Sequence, residues 1–199
     1  MNVELKADFF HYVDNEDGSG FELNEFPFDK VPESQPIVAN MSSSLLTKSL
    51  AWNKYGVVYG SAGVANTSIV VVRDDLIHNF HNSPNTWGIY MFGLLLNWQI
   101  AQGGVAEMHA RTLARSTPIY TYIDGTNGYY INSVAHKYRS RVSISIKVSK
   151  NTELEAKFVN EATAAGLIGL KGQEAVGGIL IILGNGQSFA AIYALIDFM

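Results

Sequence analysis

The sequence predicts an α/β fold, and three observations carry that expectation. Residues 57–59 and 69–72 are short β-branched runs set between glycines and the polar cluster Asn66-Thr67-Ser68, the pattern of fully buried strands in a parallel or mixed sheet. Residues 85–102 and 105–124 have helical length and spacing. Beyond them, strand-like and helix-like stretches alternate to the last residue.

Taken in order, the chain opens with Phe9-Phe10-His11-Tyr12, passes a polar cluster from Asp14 to Gly20 and returns with Phe21, Leu23 and Phe26. This reads as strand, turn and extended return, with His11 a half-buried strand residue. Residues 36–76 read as strand, polar turn, strand, loop, strand. Asn85 or Thr86 then makes an N-cap for a helix that Gly103-Gly104 ends. Ile89, Phe92, Leu96 and Ile100 follow helical spacing, while Tyr90, Met91, Leu94, Leu95 and Trp98 fill the other faces, so this helix is expected to be largely buried. Pro118 is expected to break or kink the next helix. Residues 128–134 and 141–148 read as strands of a smaller domain, the second alternating through Val142, Ile144, Ile146 and Val148. Thr152-Glu153-Leu154-Glu155 is a capping box for a helix reaching to about Gly166. Residues 179–183 form an apolar strand, Gly184-Asn185-Gly186-Gln187 a turn, and residues 189–199 a last helix.

Composition excludes several classes. At 199 residues, 47% hydrophobic and 16% charged, the chain can bury a real core. Its 14 basic and 18 acidic side chains, with no basic cluster, argue against nucleic acid as a partner. Without cysteine there is no disulfide framework and no thiolate site. The first ten residues lack the basic start and apolar run of a signal peptide, so a cytoplasmic location is expected. The apolar tail is broken by turn formers at 184–187, which favours strand, turn and helix over a membrane span. His78 and His81 stand three apart with no carboxylate at helical spacing behind them, so no metal site is expected.

A family resemblance lies in the motifs. Ala39-Asn40-Met41-Ser42-Ser43, Lys54-Tyr55-Gly56-Val57-Val58-Tyr59, Gly60-Ser61-Ala62-Gly63-Val64 and Ile69-Val70-Val71-Val72-Arg73-Asp74-Asp75-Leu76 resemble the middle of the phosphoserine aminotransferases, transaminases that use pyridoxal phosphate on the aspartate aminotransferase fold (fold type I). Also similar are His11, Tyr12, Asn15, Glu16 and Gly20, then Gly103-Gly104 with Met108, Arg139-Ser140-Arg141, and the run from Leu170 to Leu180. The likeness runs from about His11 to Met199 and corresponds to the C-terminal half to two-thirds of a family member. It implies a partial large domain with a mixed, mostly parallel sheet over residues 1–110, and a small α/β domain over 111–199.

The resemblance also implies a site and its losses. The family's Schiff-base lysine has no counterpart, because no lysine occurs between Lys54 and Lys137. The aspartate that pairs with the pyridine nitrogen falls on Asn40, a neutral amide, and a cofactor-holding threonine falls on Asp17. Asn85 and Thr86 match the pair that holds the cofactor phosphate of the partner subunit at a helix N-terminus. Substrate-binding His-Arg and Arg have become Gln173-Glu174 and Leu180. Lys48, Lys54 and Lys171 are the candidate replacements for the lost lysine, Lys171 foremost. The family reaction passes an amino group from glutamate to 3-phosphohydroxypyruvate, giving phosphoserine and 2-oxoglutarate in serine biosynthesis. In this chain it is expected to be impaired. A homodimer is implied by the family. The alternatives are a non-catalytic partner of a full-length homologue, or a degraded gene product.

Overall fold

The computed structural model describes residues 7–61, 68–77, 86–174 and 176–199. The chain separates into two compact units, one formed by residues up to 15 together with 23–109, the other by 16–22 together with 110–199. The strands begin with β1 (Phe10–Val13), the two-residue strands β2 (Asn15–Glu16) and β3 (Phe21–Glu22), β4 (Ile37–Asn40), β5 (Val57–Ser61) and β6 (Ser68–Val72).

In the first unit a four-stranded sheet has the order β1-β4-β5-β6. β1, β4 and β5 are parallel, and β6 lies antiparallel to β5, so the sheet is mixed and mostly parallel, as the sequence indicated. One register aligns Val13 with Asn40 and Asn40 with Tyr59, which brings the carboxyl ends of the parallel strands level. Ile37, Ala39 and Val58 bury one face with Tyr12, Met41 and Tyr55; beside them the Phe26 ring lies tilted against Tyr12 at 4.4 Å and edge-on to Phe28 at 5.0 Å.

Two expectations of burial are corrected here. Val70 and Val71 of β6 are exposed although they point to opposite faces, because β6 is an edge strand that no described residue covers. The helix α1 (Thr86–Ala101) exposes Trp87, Ile89, Tyr90, Leu94, Trp98 and Ile100, and among its residues of described burial only Gly88 and Gln99 are buried. Its apolar residues encircle it, and one packed side cannot bury a full circumference.

The helix α2 (Gly104–Gly125) begins in the first unit and continues in the second. Of the break or kink expected at Pro118, the break does not occur, and the helix runs on through it. Burial of Ile119, Tyr120 and Ile123 immediately after the proline outweighs a local penalty of about 3 kcal/mol.

The second unit holds the antiparallel sheet β7-β8-β9, with β7 (Tyr130–Ile131), β8 (Ser143–Val148) and β9 (Ile179–Ile182). Helices α3 (Thr152–Ala164) and α4 (Phe189–Phe198) complete it. Ile144, Ile146 and Val148 of β8, Ile179 and Ile181 of β9, Phe158 of α3 and Leu195 of α4 share one core. The strand expected over 128–134 contracts to two residues. Asn132 donates from Nδ2 to the Ser145 carbonyl at 2.8 Å and accepts from the Val134 amide at 3.0 Å, which satisfies the backbone through a side chain in place of a ladder. The cap of α3 is Asn151, whose side chain accepts from the amides of Glu153 and Leu154, and not the expected Thr152 box. Among the described residues, no helix is long and apolar enough to cross a membrane.

Candidate functional site

Ligands of open parallel sheets sit beyond the carboxyl ends of the strands, so the first unit directs attention to Asn40, Ser42 and Ser61. Asn40 ends β4 half-buried. Its Oδ1 accepts from the Ser42 amide at 3.0 Å and the Ser42 hydroxyl at 2.6 Å, a local turn that occupies this oxygen. β5 passes so close to this turn that a β-carbon on Gly60 would come within 2.8 Å of the Met41 carbonyl oxygen; glycine is required there. His11 is exposed, not half-buried, and its Nε2 lies 3.0 Å from the Tyr59 hydroxyl with the two rings stacked. Residues 62–67, which follow Ser61, lie outside the described residues.

Beneath these strands is a buried polar cluster that the sequence did not single out. Asp14, 2% exposed, accepts from the Ser44 hydroxyl and pairs with Lys48 Nζ at 2.8 Å. Lys48 also donates to the Leu23 carbonyl at 2.8 Å. The Tyr12 and Tyr55 hydroxyls meet at 3.2 Å, and burial, before any other influence, pushes both phenols above their ordinary range. Asp14, Lys48 and Tyr55 of this cluster line a cavity of about 340 Å³ with Leu23, Phe26, Phe28 and Leu50. The one sequence cue was the spacing of Ser44 and Lys48, which places both on the turn after β4.

The second unit draws together other residues. Asp17 accepts from the Ser143 hydroxyl, Gly20 accepts at its carbonyl from the Ser140 amide at 2.8 Å, and Glu22 accepts from the Arg141 amide at 2.9 Å. Three bonds therefore stitch residues 17–22 to the start of β8. Glu16 folds back on the Gly18 and Ser19 amides at 3.0 and 2.7 Å, and hydrogen bonding from Ser19 holds its carboxyl below the ordinary carboxylate range. The Gln173 side-chain oxygen lies over Gly18, 2.7 Å from where a β-carbon would stand. Leu180 is a buried residue of β9 opposite Ser145. Glu174 is exposed. Nearby, Arg139 is buried over the Tyr120 ring and donates twice to Asp124 at 2.7 and 2.9 Å, holding that carboxyl below its ordinary range.

Asp17, Gln173 and Leu180 thus belong to one unit, and Asn40 to the other. Asn85 lies outside the described residues; Thr86 opens α1, and nothing is described of its side chain. His78 and His81 also lie outside them. Of the candidate lysines, Lys48 is held by Asp14, Lys54 lies in an exposed 3-10 turn, and Lys171 is exposed beside β9.

Comparison with known proteins gives a consistent family. No family model matches the chain. The phosphoserine aminotransferase of Stenotrophomonas maltophilia (strain R551-3) is 36% identical over 216 residues, covering 97% of this chain and 59% of that protein. That of Drosophila melanogaster is also 36% identical, over 99% of this chain and 61% of its own. The aligned stretches exceed the 199 residues of the chain, so the relatives carry residues here that it lacks. Among solved structures, phosphoserine aminotransferase from Bacillus circulans subsp. alkalophilus superposes on 100% of this chain and 60% of its own with a TM-score of 0.93 at 28% identity. The enzyme from Trichomonas vaginalis, solved with bound pyridoxal phosphate, gives 0.88 at 29% identity. The chain therefore belongs to the phosphoserine aminotransferase family, of which it spans about 60% of the length.

Proposed function

We propose that this chain keeps the family's folded units without its transaminase chemistry, and does not convert 3-phosphohydroxypyruvate and glutamate to phosphoserine and 2-oxoglutarate. The carrying observation is the absence of any lysine between Lys54 and Lys137, the interval in which the family's Schiff-base lysine falls. In this family pyridoxal phosphate takes a lysine for its aldehyde and a carboxylate for its ring nitrogen. The residues here do not fit it. Asn40 is neutral and spends its oxygen on Ser42, and Asp17, a carboxylate in place of a hydroxyl, is bound to Ser143. Gln173, Glu174 and Leu180 offer no cation for a phosphate or carboxylate substrate, and Glu174 repels both.

Incubating the purified chain with both substrates and pyridoxal phosphate tests this. The expected outcome is no phosphoserine above a heat-killed control, and detectable turnover sinks the proposal. A second reading, an interaction partner of a homologous chain, is favoured by the exposed apolar residues of α1.

A further inference from the structure

Two Asn-Gly dipeptides occur in the chain, Asn127-Gly128 and Asn185-Gly186, and the fold treats them differently. Both lie in the second unit at the centres of turns, one closed by the Tyr129 amide on the Thr126 carbonyl at 3.1 Å, the other by the Gln187 amide on the Gly184 carbonyl at 3.0 Å. Asn127 is left-handed, with φ of +52° ahead of +89° at Gly128, and this backbone turns the Gly128 nitrogen away from the Asn127 side chain. Neither Asn185 nor Gly186 has a positive φ, which makes their turn type I and leaves the Gly186 nitrogen beside the Asn185 side chain. Gly186 is exposed, with open space where a β-carbon would stand, and its amide donates no hydrogen bond among the described residues.

A cation is fixed on the second of these turns. Arg115, 3% exposed, reaches it from α2, Nη1 donating to the Gly184 carbonyl at 3.2 Å and Nη2 to the Asn185 carbonyl at 2.8 Å, with the guanidinium over the Phe189 ring. Among the described residues its Nε is buried without a partner, and so is the Asn185 Oδ1. Burial, and then the charge of Arg111, push its guanidinium below the ordinary range, as expected of a cation that only neutral carbonyls hold. We propose that Asn185-Gly186 is a self-modifying site, at which Arg115 directs conversion of Asn185 to an isoaspartyl residue. The Gly186 nitrogen attacks Asn185 Cγ, the new bond closes a succinimide ring, and Nδ2 leaves as ammonia with the Gly186 proton. Water then adds to the ring carbonyl that was the Asn185 backbone carbonyl, and the bond from that carbon to the Gly186 nitrogen breaks. One water is consumed and one ammonia released, with nothing oxidised or reduced. Gly186 is left joined through Cγ, and the oxygen that Arg115 already holds becomes part of a free carboxylate. Arg115 favours each step by drawing charge onto that oxygen: the Gly186 N–H becomes a better acid, and the backbone carbonyl the more electrophilic of the two in the ring. The product gives the buried guanidinium an anionic partner. This inference does not depend on the loss of transamination, because no cofactor takes part.

The test incubates the purified chain at neutral pH in heavy-oxygen water and follows residues 127 and 185 by peptide mapping, with an isoaspartyl methyltransferase to mark the altered linkage. The expected result is loss of Asn185 faster than loss of Asn127 by about tenfold or more, with heavy oxygen in the new carboxylate. In urea each site is only an asparagine before a glycine, so the difference between them is expected to vanish and the isoaspartyl share at 185 to fall. Arg115→Met is expected to slow conversion at 185 by about tenfold or more and to lower the isoaspartyl share, with Asn127 unchanged. Arg115→Lys, which keeps the charge, retains part of both effects. Circular dichroism separates lost guidance from lost folding, and where Arg115→Met does not fold, the comparison of the folded chain with the chain in urea decides. The proposal is overturned if the folded chain loses Asn185 no faster than Asn127, if the same preference persists in urea, or if folded Arg115→Met reacts as fast as the parent.

Discussion

Lys48 shows how one residue changes meaning between sequence and structure. By position it is a spare cation after a strand, a candidate for the missing lysine. In the fold it neutralises Asp14, the carboxylate that Ser44 also holds under the Tyr12 and Tyr55 hydroxyls. Removing one partner of a buried pair strands the other, so Lys48→Met is expected to destabilise the chain by about 3 kcal/mol, and adding Asp14→Asn to restore part of it. Urea denaturation of the single and double variants measures both. Asp124 and Glu16 carry a pH dependence. Each carboxyl has its folded pKa lowered, by the Arg139 guanidinium and by hydrogen bonding from Ser19 respectively. Each therefore contributes stability that is present in full above about pH 4 and is lost as pH falls through the lowered folded value. Asp124→Asn is expected to flatten the fall of the thermal midpoint between neutral and acid pH; an unchanged slope contradicts the assignment.

At the scale of elements, what was legible followed from periodicity. The alternation of β8, the spacing of α3 and the glycines that end the helices specify local geometry directly, and these elements stand where the sequence puts them within a few residues. What was not legible depends on partners far along the chain. The bond from Ser143 to Asp17 and that from Arg141 to Glu22 span more than a hundred residues, so no local pattern announces that residues 16–22 join the second unit. Gly20 makes that attachment possible. Its φ of +73° and the Ser143 carbonyl oxygen 2.7 Å from any β-carbon exclude other residues. Gly20→Ala is expected to cost about 2 kcal/mol and to speed amide exchange at Ser140 and Arg141, with the first unit unchanged. The exposure of α1 is not legible in its sequence for a related reason. A helix apolar on all sides needs neighbours on all sides, and the sequence of the helix does not say whether the chain supplies them.

Across the whole molecule, the packed cores stand apart from the candidate site positions. Both cores are packed: Ala39, Met41 and Val58 in one unit, and Ile144, Ile146 and Ile179 in the other, are almost wholly buried. At two candidate site positions an amide and a carboxylate make hydrogen bonds that serve the fold itself. Asn40 shapes a turn and Asp17 fastens a loop. Substituting Asn40→Asp alone is accordingly expected to leave the chain without transaminase activity, because the lysine remains absent. The most direct measurement is titration of the purified chain with pyridoxal phosphate, followed by borohydride reduction and peptide mapping. The expected result is no stoichiometric label on any lysine, with Lys48, Lys54 and Lys171 alike unmodified. One lysine labelled in full would mean that the chain has rebuilt an aldehyde-binding site, and would contradict the separation of fold from chemistry proposed here.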